Sequence, residues 1–228
     1  MAITAGLVKE LRERTSAGMM DCKKALVEVD GDLEQAAELL RKSGQAKADK
    51  KASRVAAEGL VLVKGDTGNG HHVLLEINSE TDFVAKDENF ARYAETVVDV
   101  ALSVRPADVD ELMATEVGGQ SLEVLRQELV TKIGENVSVR RFAHLASERL
   151  VGAYVHMGRI GVLVELDGGT EELAKDLSMQ VAATSPRYVS ADDIPEDELA
   201  KEREILAAQA AQEGKPEDIV RKMVEGRL

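Results

Sequence analysis

One segment of this sequence occurs twice. Val73-Leu-Leu-Glu-Ile-Asn-Ser-Glu-Thr-Asp-Phe-Val-Ala-Lys-Asp87 aligns without a gap, 89 residues on, with Val162-Leu-Val-Glu-Leu-Asp-Gly-Gly-Thr-Glu-Glu-Leu-Ala-Lys-Asp176. An internal repeat of this length means one supersecondary unit used twice, so the two copies must share a local fold. Each is preceded by a short apolar run, Leu60 to Val63 or Ala153 to Val155, and a glycine-containing turn, Gly65 to Gly70 or Gly158. This is the pattern of a β-hairpin. Downstream, Phe90, Ala94, Val97, Val98 and Ala101 in the first copy and Leu173, Leu177 and Val181 in the second recur at helical spacing. Each copy reads strand, strand, helix, and the core is expected to be α+β with antiparallel sheets.

The segments around the repeat differ in charge. Residues 1–54 carry a net +2 and the remainder −15, out of −13 overall, which suggests a boundary near Arg54. Before it, Ile3, Leu7, Val8 and Leu11 form one helical stripe and Met20, Ala25, Leu26 and Val29 a second. A third helix is expected from Asp32, with Asp32 and Gln35 as a capping pair and Gly44 ending it in the left-handed conformation. These make a three-helix unit. Ser43 to Glu58, with its lysines among alanines, reads as a basic helical linker that joins rather than packs. Ser121 can cap a helix bearing Leu122, Leu125, Leu129 and Ile133, and Val137 to Phe142 can add a strand. Glu196–Gln212 and Glu217–Gly226 read as two helices joined at Glu213 to Pro216, with Leu199, Ile205 and Leu206 facing Ile219, Val220 and Met223. They are expected to form an antiparallel two-helix arm. The expected domains are 1–54 with its linker, core subdomains 55–145 and 146–195, and the hairpin 196–228.

Several chemistries lack their residues. The acidic balance opposes direct binding to a phosphate backbone. There is no Gly-x-x-x-x-Gly-Lys-Ser/Thr loop and no Gly-x-Ser-x-Gly elbow. His71 and His72 point to opposite faces of a strand and cannot readily share a metal. Cys22, the single cysteine, excludes an internal disulfide and fits a buried apolar position in a reducing compartment. No apolar run approaches the ~20 residues needed to span a membrane. The expectation is a cytoplasmic protein that is not an enzyme and holds no cofactor and no metal.

The repeat isolates Thr81-Asp82-Phe83-Val84. Thr81 and Thr170 both precede a helix, where a hydroxyl caps an N–H, and Asp82 faces the positive end of the helix dipole. Capping and function are both open for these two. Phe83 is different, because its counterpart is Glu172 and glutamate is almost never fully buried. The position is therefore expected to be exposed and Phe83 to be a partner-binding anchor, the alternative being a rotated, buried ring. Phe90 aligns with Met179 and is expected in the core. Met19 and Met20 fit either core filler or an adaptable contact. Arg12 reads as a solvated charge, and His156, near its turn, as an exposed polar tip or a contact.

Taken together, Leu7-Val-Lys-Glu-Leu-Arg-Glu-Arg-Thr15, Ala17-Gly-Met-Met-Asp-Cys-Lys-Lys-Ala-Leu26, Thr81-Asp-Phe-Val-Ala-Lys-Asp87, Lys132-Ile-Gly-Glu135, Arg159-Ile-Gly-Val-Leu-Val164 and Met223-Val-Glu-Gly-Arg227 resemble the translation elongation factor Ts family over the whole chain. The resemblance implies a ubiquitin-associated-like N-terminal domain, a core of two related subdomains and a coiled-coil hairpin. It implies guanine-nucleotide exchange on elongation factor Tu, as a heterodimer. It implies that Thr81, Asp82, Phe83 and Val84 displace the partner's magnesium, with Phe83 entering a pocket between two helices of the GTPase domain. Arg12, Met19 and Met20 match N-terminal contacts to another helix of that domain, and His156 a contact to the partner's other domains. Family members continue past this Glu-Gly-Arg into a module that also touches the partner. Weaker binding with exchange retained in the core is therefore expected of a chain ending at Leu228. The competing expectation is a non-catalytic adaptor.

Overall fold

The computed structural model describes residues 3–15, 17–66, 70–212 and 217–227. Contacts divide the chain into two compact units, residues 1–183 and 184–228.

The first unit begins with α1 (Ala5–Thr15), α2 (Met19–Glu28) and α3 (Leu33–Lys51). Val8, Leu11, Cys22, Ala25, Leu26 and Ala36 form their shared core, so the lone thiol is a buried apolar filler. Asp32 caps α3 by accepting from the Gln35 backbone N–H at 2.9 Å. Met20, assigned to the second apolar stripe, is instead exposed.

Gly44 does not end α3. The helix runs on to Lys51, and Gly44 is buried within it, at a point where a Cβ would stand 3.0 Å from the Thr131 hydroxyl. The glycine gives room there for the close approach of Thr131 and does not form a left-handed cap. The expected linker therefore packs. Ala48 is fully buried in the main core, and α3 lies along α7 (Leu122–Ile133). One continuous helix thus belongs to both the small helical core and the large one.

The main core lies beneath an antiparallel sheet of order β1-β2-β5, made of β1 (Glu58–Asp66), β2 (His71–Ser79) and β5 (Val137–Ala146). Leu62 pairs Leu75 and Leu75 pairs Phe142, with a bulge at Glu76 and Ile77. The turn at 67–69 lies outside the described residues. Val73, Leu75 and Ile77 alternate into the core against α5 (Glu88–Val104), whose Phe90, Ala94, Val97, Val98 and Ala101 are buried as the periodicity predicts. Three small elements were not legible in the sequence, α6 (Val109–Ala114) and the paired strands β3 (Glu116–Val117) and β4 (Gln120–Ser121). Ser121 caps α7 as expected.

The second copy gives β6 (Leu150–His156) and β7 (Ile160–Leu166), paired antiparallel, and α8 (Glu171–Thr184). Its hairpin packs on the first sheet, with Gly161 against Leu74 and Val61. The helix departs from expectation in its facing. Ala174 and Ser178 are buried, because α8 approaches β6 so closely that Gly152 lies against the Ala174 carbonyl, while Leu173 and Leu177 flank the contact and remain exposed.

The second unit holds a 3₁₀ turn (Ala191–Asp193), α9 (Glu196–Ala211) and α10 (Glu217–Arg227). The two helices touch each other. Ala210 and Val224 are buried, whereas Ile205 and Ile219, expected on the seam, are exposed. The loop 213–216 lies outside the described residues. Among the described residues no helix is long and apolar enough to cross a membrane, and no group of three or more His, Cys, Asp or Glu side chains is placed to hold a metal.

Burial holds the His72 and His144 imidazoles below the ordinary histidine range, and neighbouring His71 adds to both; around His144, Arg105 acts in the same direction and a bond with Pro106 opposes it. The unfolded chain then binds more protons than the folded one as pH falls through ~6.5, so stability is present above that pH and is lost below it. Denaturant midpoints are expected to fall between pH 7.5 and 5.5, and to fall less in a His72→Gln, His144→Gln variant. Equal pH slopes for the two proteins would contradict this.

Candidate protein-binding site

The repeat diverges where Phe83 sits. In the second copy one helix runs through Ala174-Lys175-Asp176. In the first, the equivalent Asp87 is an N-cap: its Oδ1 accepts from the Asn89 N–H at 2.8 Å and the Phe90 N–H at 3.3 Å, and a new helix starts there. What precedes it is a single turn, α4 (Asp82–Ala85), whose only buried side chain is Val84. The restart separates the two phenylalanines of the segment. Phe90 is fully buried, and Phe83 is 80% exposed, the exposure expected from its glutamate counterpart.

The turn is braced on several sides. Thr81 Oγ1 accepts from the Val84 N–H at 3.4 Å, and Ser79 Oγ donates to the Thr81 carbonyl at 3.0 Å. Lys86 Nζ lies 2.9 Å from Asp82 Oδ2, and that hydrogen bond and charge hold the Asp82 carboxyl below the usual carboxylate range. Asp82 is therefore an anion beside an exposed ring at neutral pH.

His156 lies at the start of a tight turn, 156–159, closed by the Arg159 N–H donating to the His156 carbonyl at 2.9 Å. Met157 and Gly158, the central residues of this β-turn, both have positive φ, 50° and 69°, within a three-residue loop between the paired His156 and Ile160. Glycine adopts that conformation freely, but methionine does so at a cost. Met157 is 84% exposed. The turn is fastened to β1, since Gly158 O accepts from the Val61 N–H at 2.7 Å and Arg159 pairs with Glu58. Glu58 pairs in register with Ser79, three residues before Asp82, and Arg159 adds to the depression of the Asp82 carboxyl. Thr81 to Val84 and the His156 turn are thus brought to one end of the β1-β2 hairpin. The exposed His156 ring takes a 2.9 Å hydrogen bond between its Nδ1 and the Tyr154 hydroxyl.

Arg12, Met19 and Met20 are not part of this cluster. They are exposed on the three-helix unit, with Met19 and Met20 opening α2 at 60% and 63% exposure. Lys47 Nζ bonds Asp21 Oδ2 at 2.9 Å, fastening α2 to the part of α3 that enters the main core.

Sequence reasoning gave no role to Glu135, whose carboxylate takes both donors of Thr81, to Glu80 beside it, or to Met157. Glu135 and Thr81 are 54 positions apart, and no local pattern signals their pairing. The exposure of Met157 has a weak signal, the Met-Gly pair at a predicted hairpin turn.

Comparison with known proteins bears on the same residues. The family profile described as Elongation factor TS matches residues 80–228, beginning one residue before Thr81. The chain is 58% identical over 228 residues to Elongation factor Ts of Halorhodospira halophila, covering all of this chain and 78% of that protein. It is 56% identical over 229 residues to the Alkalilimnicola ehrlichii protein of the same name, again covering 78% of it, and 51% identical over 227 residues to that of Legionella pneumophila, covering 99% of this chain and 78% of the relative. On a match of this extent and identity, the chain belongs to the elongation factor Ts family.

Proposed function

We propose that this chain binds elongation factor Tu and promotes GDP release by wedging the Asp82–Phe83 turn into the partner's magnesium and phosphate side. The family is in general the nucleotide exchange factor of that GTPase. The observation that carries the reading is the Phe83 ring, 80% exposed on a single turn held from several sides. A large apolar side chain kept in water by a braced backbone is an anchor awaiting a pocket.

A GTPase holds GDP through a phosphate cradle and a Mg²⁺ ion, so release needs a second ligand that favours the empty state. By linkage, whatever factor this chain takes from nucleotide affinity, nucleotide takes equally from its own. Burying the Phe83 ring supplies about 2–3 kcal/mol to that competition. Asp82, anionic beside it, acts on hydrogen bonds around the partner's metal. The chain itself makes and breaks no covalent bond. Arg12, Met19 and Met20 add a second contact from the three-helix unit, and His156 a third, in a cytoplasmic heterodimer. We further propose that residues 1–54 comprise a ubiquitin-associated-like three-helix domain and the basic segment that leads into the core, 55–145 and 146–195 the two core subdomains, and 196–228 a coiled-coil hairpin.

The test is release of labelled GDP from elongation factor Tu. The expected result is a rate that rises with added chain and saturates. Binding without any change in release would make the chain an adaptor.

A further inference from the structure

We propose that Glu135 is a positioning residue for the Asp82–Phe83 turn, its carboxylate gripping Thr81 from the opposite loop and so fixing where the Phe83 ring projects. The inference rests on Phe83 being the partner anchor.

A one-turn helix cannot hold itself, because nucleation fixes several residues for a single hydrogen bond. Within the segment the restraints are modest. The Thr81 cap bond is long at 3.4 Å, and the Lys86–Asp82 pair is solvent-exposed, where such pairs contribute little. Glu135 acts from outside. It follows Gly134, the left-handed C-cap of α7, and its Oε2 accepts the Thr81 N–H at 3.0 Å while its Oε1 accepts the Thr81 hydroxyl at 2.8 Å. Thr81 is extended (φ −124°, ψ 158°) and part-buried, so these two donors lie outside the helix and have this one carboxylate as their partner. Committing the hydroxyl hydrogen to Glu135 leaves the oxygen's lone pairs for the Val84 N–H, so the clamp also orients the cap.

A reciprocal bond runs beside it. Glu80 Oε1 accepts the Asn136 N–H at 2.6 Å, and the Asn136 side-chain amide donates to the Arg54 carbonyl at 2.9 Å. Loops 79–81 and 134–136 are therefore joined twice, Glu80 to Asn136 and Glu135 to Thr81. Two bonds from one carboxylate restrain both the position and the tilt of the Thr81 peptide. None of this buries apolar surface. Glu135 sets the direction of the turn rather than the stability of the core.

The experiment compares Glu135→Ala, Glu135→Gln, Phe83→Ala and the Glu135→Ala, Phe83→Ala double variant of the full chain. GDP release from elongation factor Tu is read at a concentration where residual Phe83→Ala activity stands clear of spontaneous release, with amide hydrogen exchange of the free proteins alongside. Glu135→Ala is expected to slow release about tenfold. Glu135→Gln, which can still accept the N–H and donate to the hydroxyl oxygen, is expected to stay within about threefold of the unsubstituted chain. In the Phe83→Ala background, Glu135→Ala should change the rate less than about twofold, since it acts through the ring. The amides of Val84 and Ala85, which bond to Thr81, should exchange about tenfold faster in Glu135→Ala, with β2 and α5 unchanged. A Glu135→Ala rate equal to the unsubstituted one, a full tenfold effect persisting without the ring, or protection lost across β2 and α5 together would each overturn the inference. Phe83→Ala releasing GDP at the unsubstituted rate would instead overturn the anchor reading on which it rests.

Discussion

Replacing Phe83 with alanine is expected to slow GDP release from elongation factor Tu by about 30- to 150-fold while leaving the melting temperature of the free chain within about 2 °C. The first figure follows from removing about 2–3 kcal/mol of apolar burial that is realised only in the complex, at about 1.4 kcal/mol per tenfold. The second follows from exposure: a ring that is 80% exposed in the free chain leaves almost no cavity when it is cut back. Phe83→Leu should fall between the two, because leucine keeps much of the apolar area but not the shape. Stopped-flow release of a fluorescent GDP and a circular-dichroism melt measure the two quantities on the same preparation. A large drop in melting temperature would show that the ring serves its own domain, and the loss of exchange would then say nothing about a partner.

Seven residues along, Phe90→Ala is expected to do the reverse. Phe90 is fully buried among Val97, Val98, Leu75 and the other side chains of the main core. Truncating a phenylalanine in such a site costs about 3–5 kcal/mol, through lost transfer free energy and the cavity left behind. Against the 5–15 kcal/mol typical of a folded domain, this is a large fraction of the whole. Urea unfolding should show a lower midpoint with an unchanged slope. Release per folded molecule should match the unsubstituted chain, since Phe90 touches no surface a partner can reach. A Phe90→Ala protein with normal stability and impaired exchange would reverse the assignment of the two rings. The pair separates binding from folding within one short segment, with Asp87 as the residue that divides them.

The sequence made some features legible because they are local. Hairpins at 58–79 and 150–166 follow from alternation and turn residues, and the caps at Asp32, Thr81 and Ser121 lie where a short polar side chain precedes an apolar period. The Phe83 exposure was legible because the repeat offered a comparison: the same position holds Glu172 in the second copy. Most of what escaped depends on neighbours far along the chain. Gly44 has the identity of a helix stop, but its environment includes Thr131, 87 positions away, and there the missing Cβ serves packing. Leu173 and Leu177 have the right spacing for a core stripe, yet the closeness of α8 to β6 is set by Gly152, which selects Ala174 and Ser178 for the buried face. Met20 escaped for a local reason: it stands two residues before Cys22, on the far side of α2 from the buried Cys22, Ala25 and Leu26, so the helical period itself turns it outward. Glu135 belongs with Gly44. It was visible as part of a motif, and only the folded loops show what it holds.

The most direct test of the central claim places a photo-reactive benzoylphenylalanine at position 83 and irradiates the chain with elongation factor Tu, with and without excess GDP. The ring and the nucleotide compete by linkage, so the account predicts an adduct within the GTPase domain that forms without nucleotide and is suppressed by GDP. A probe at Met19 or Met20 that couples under the same conditions while position 83 never does, or an adduct at 83 indifferent to GDP, would contradict it.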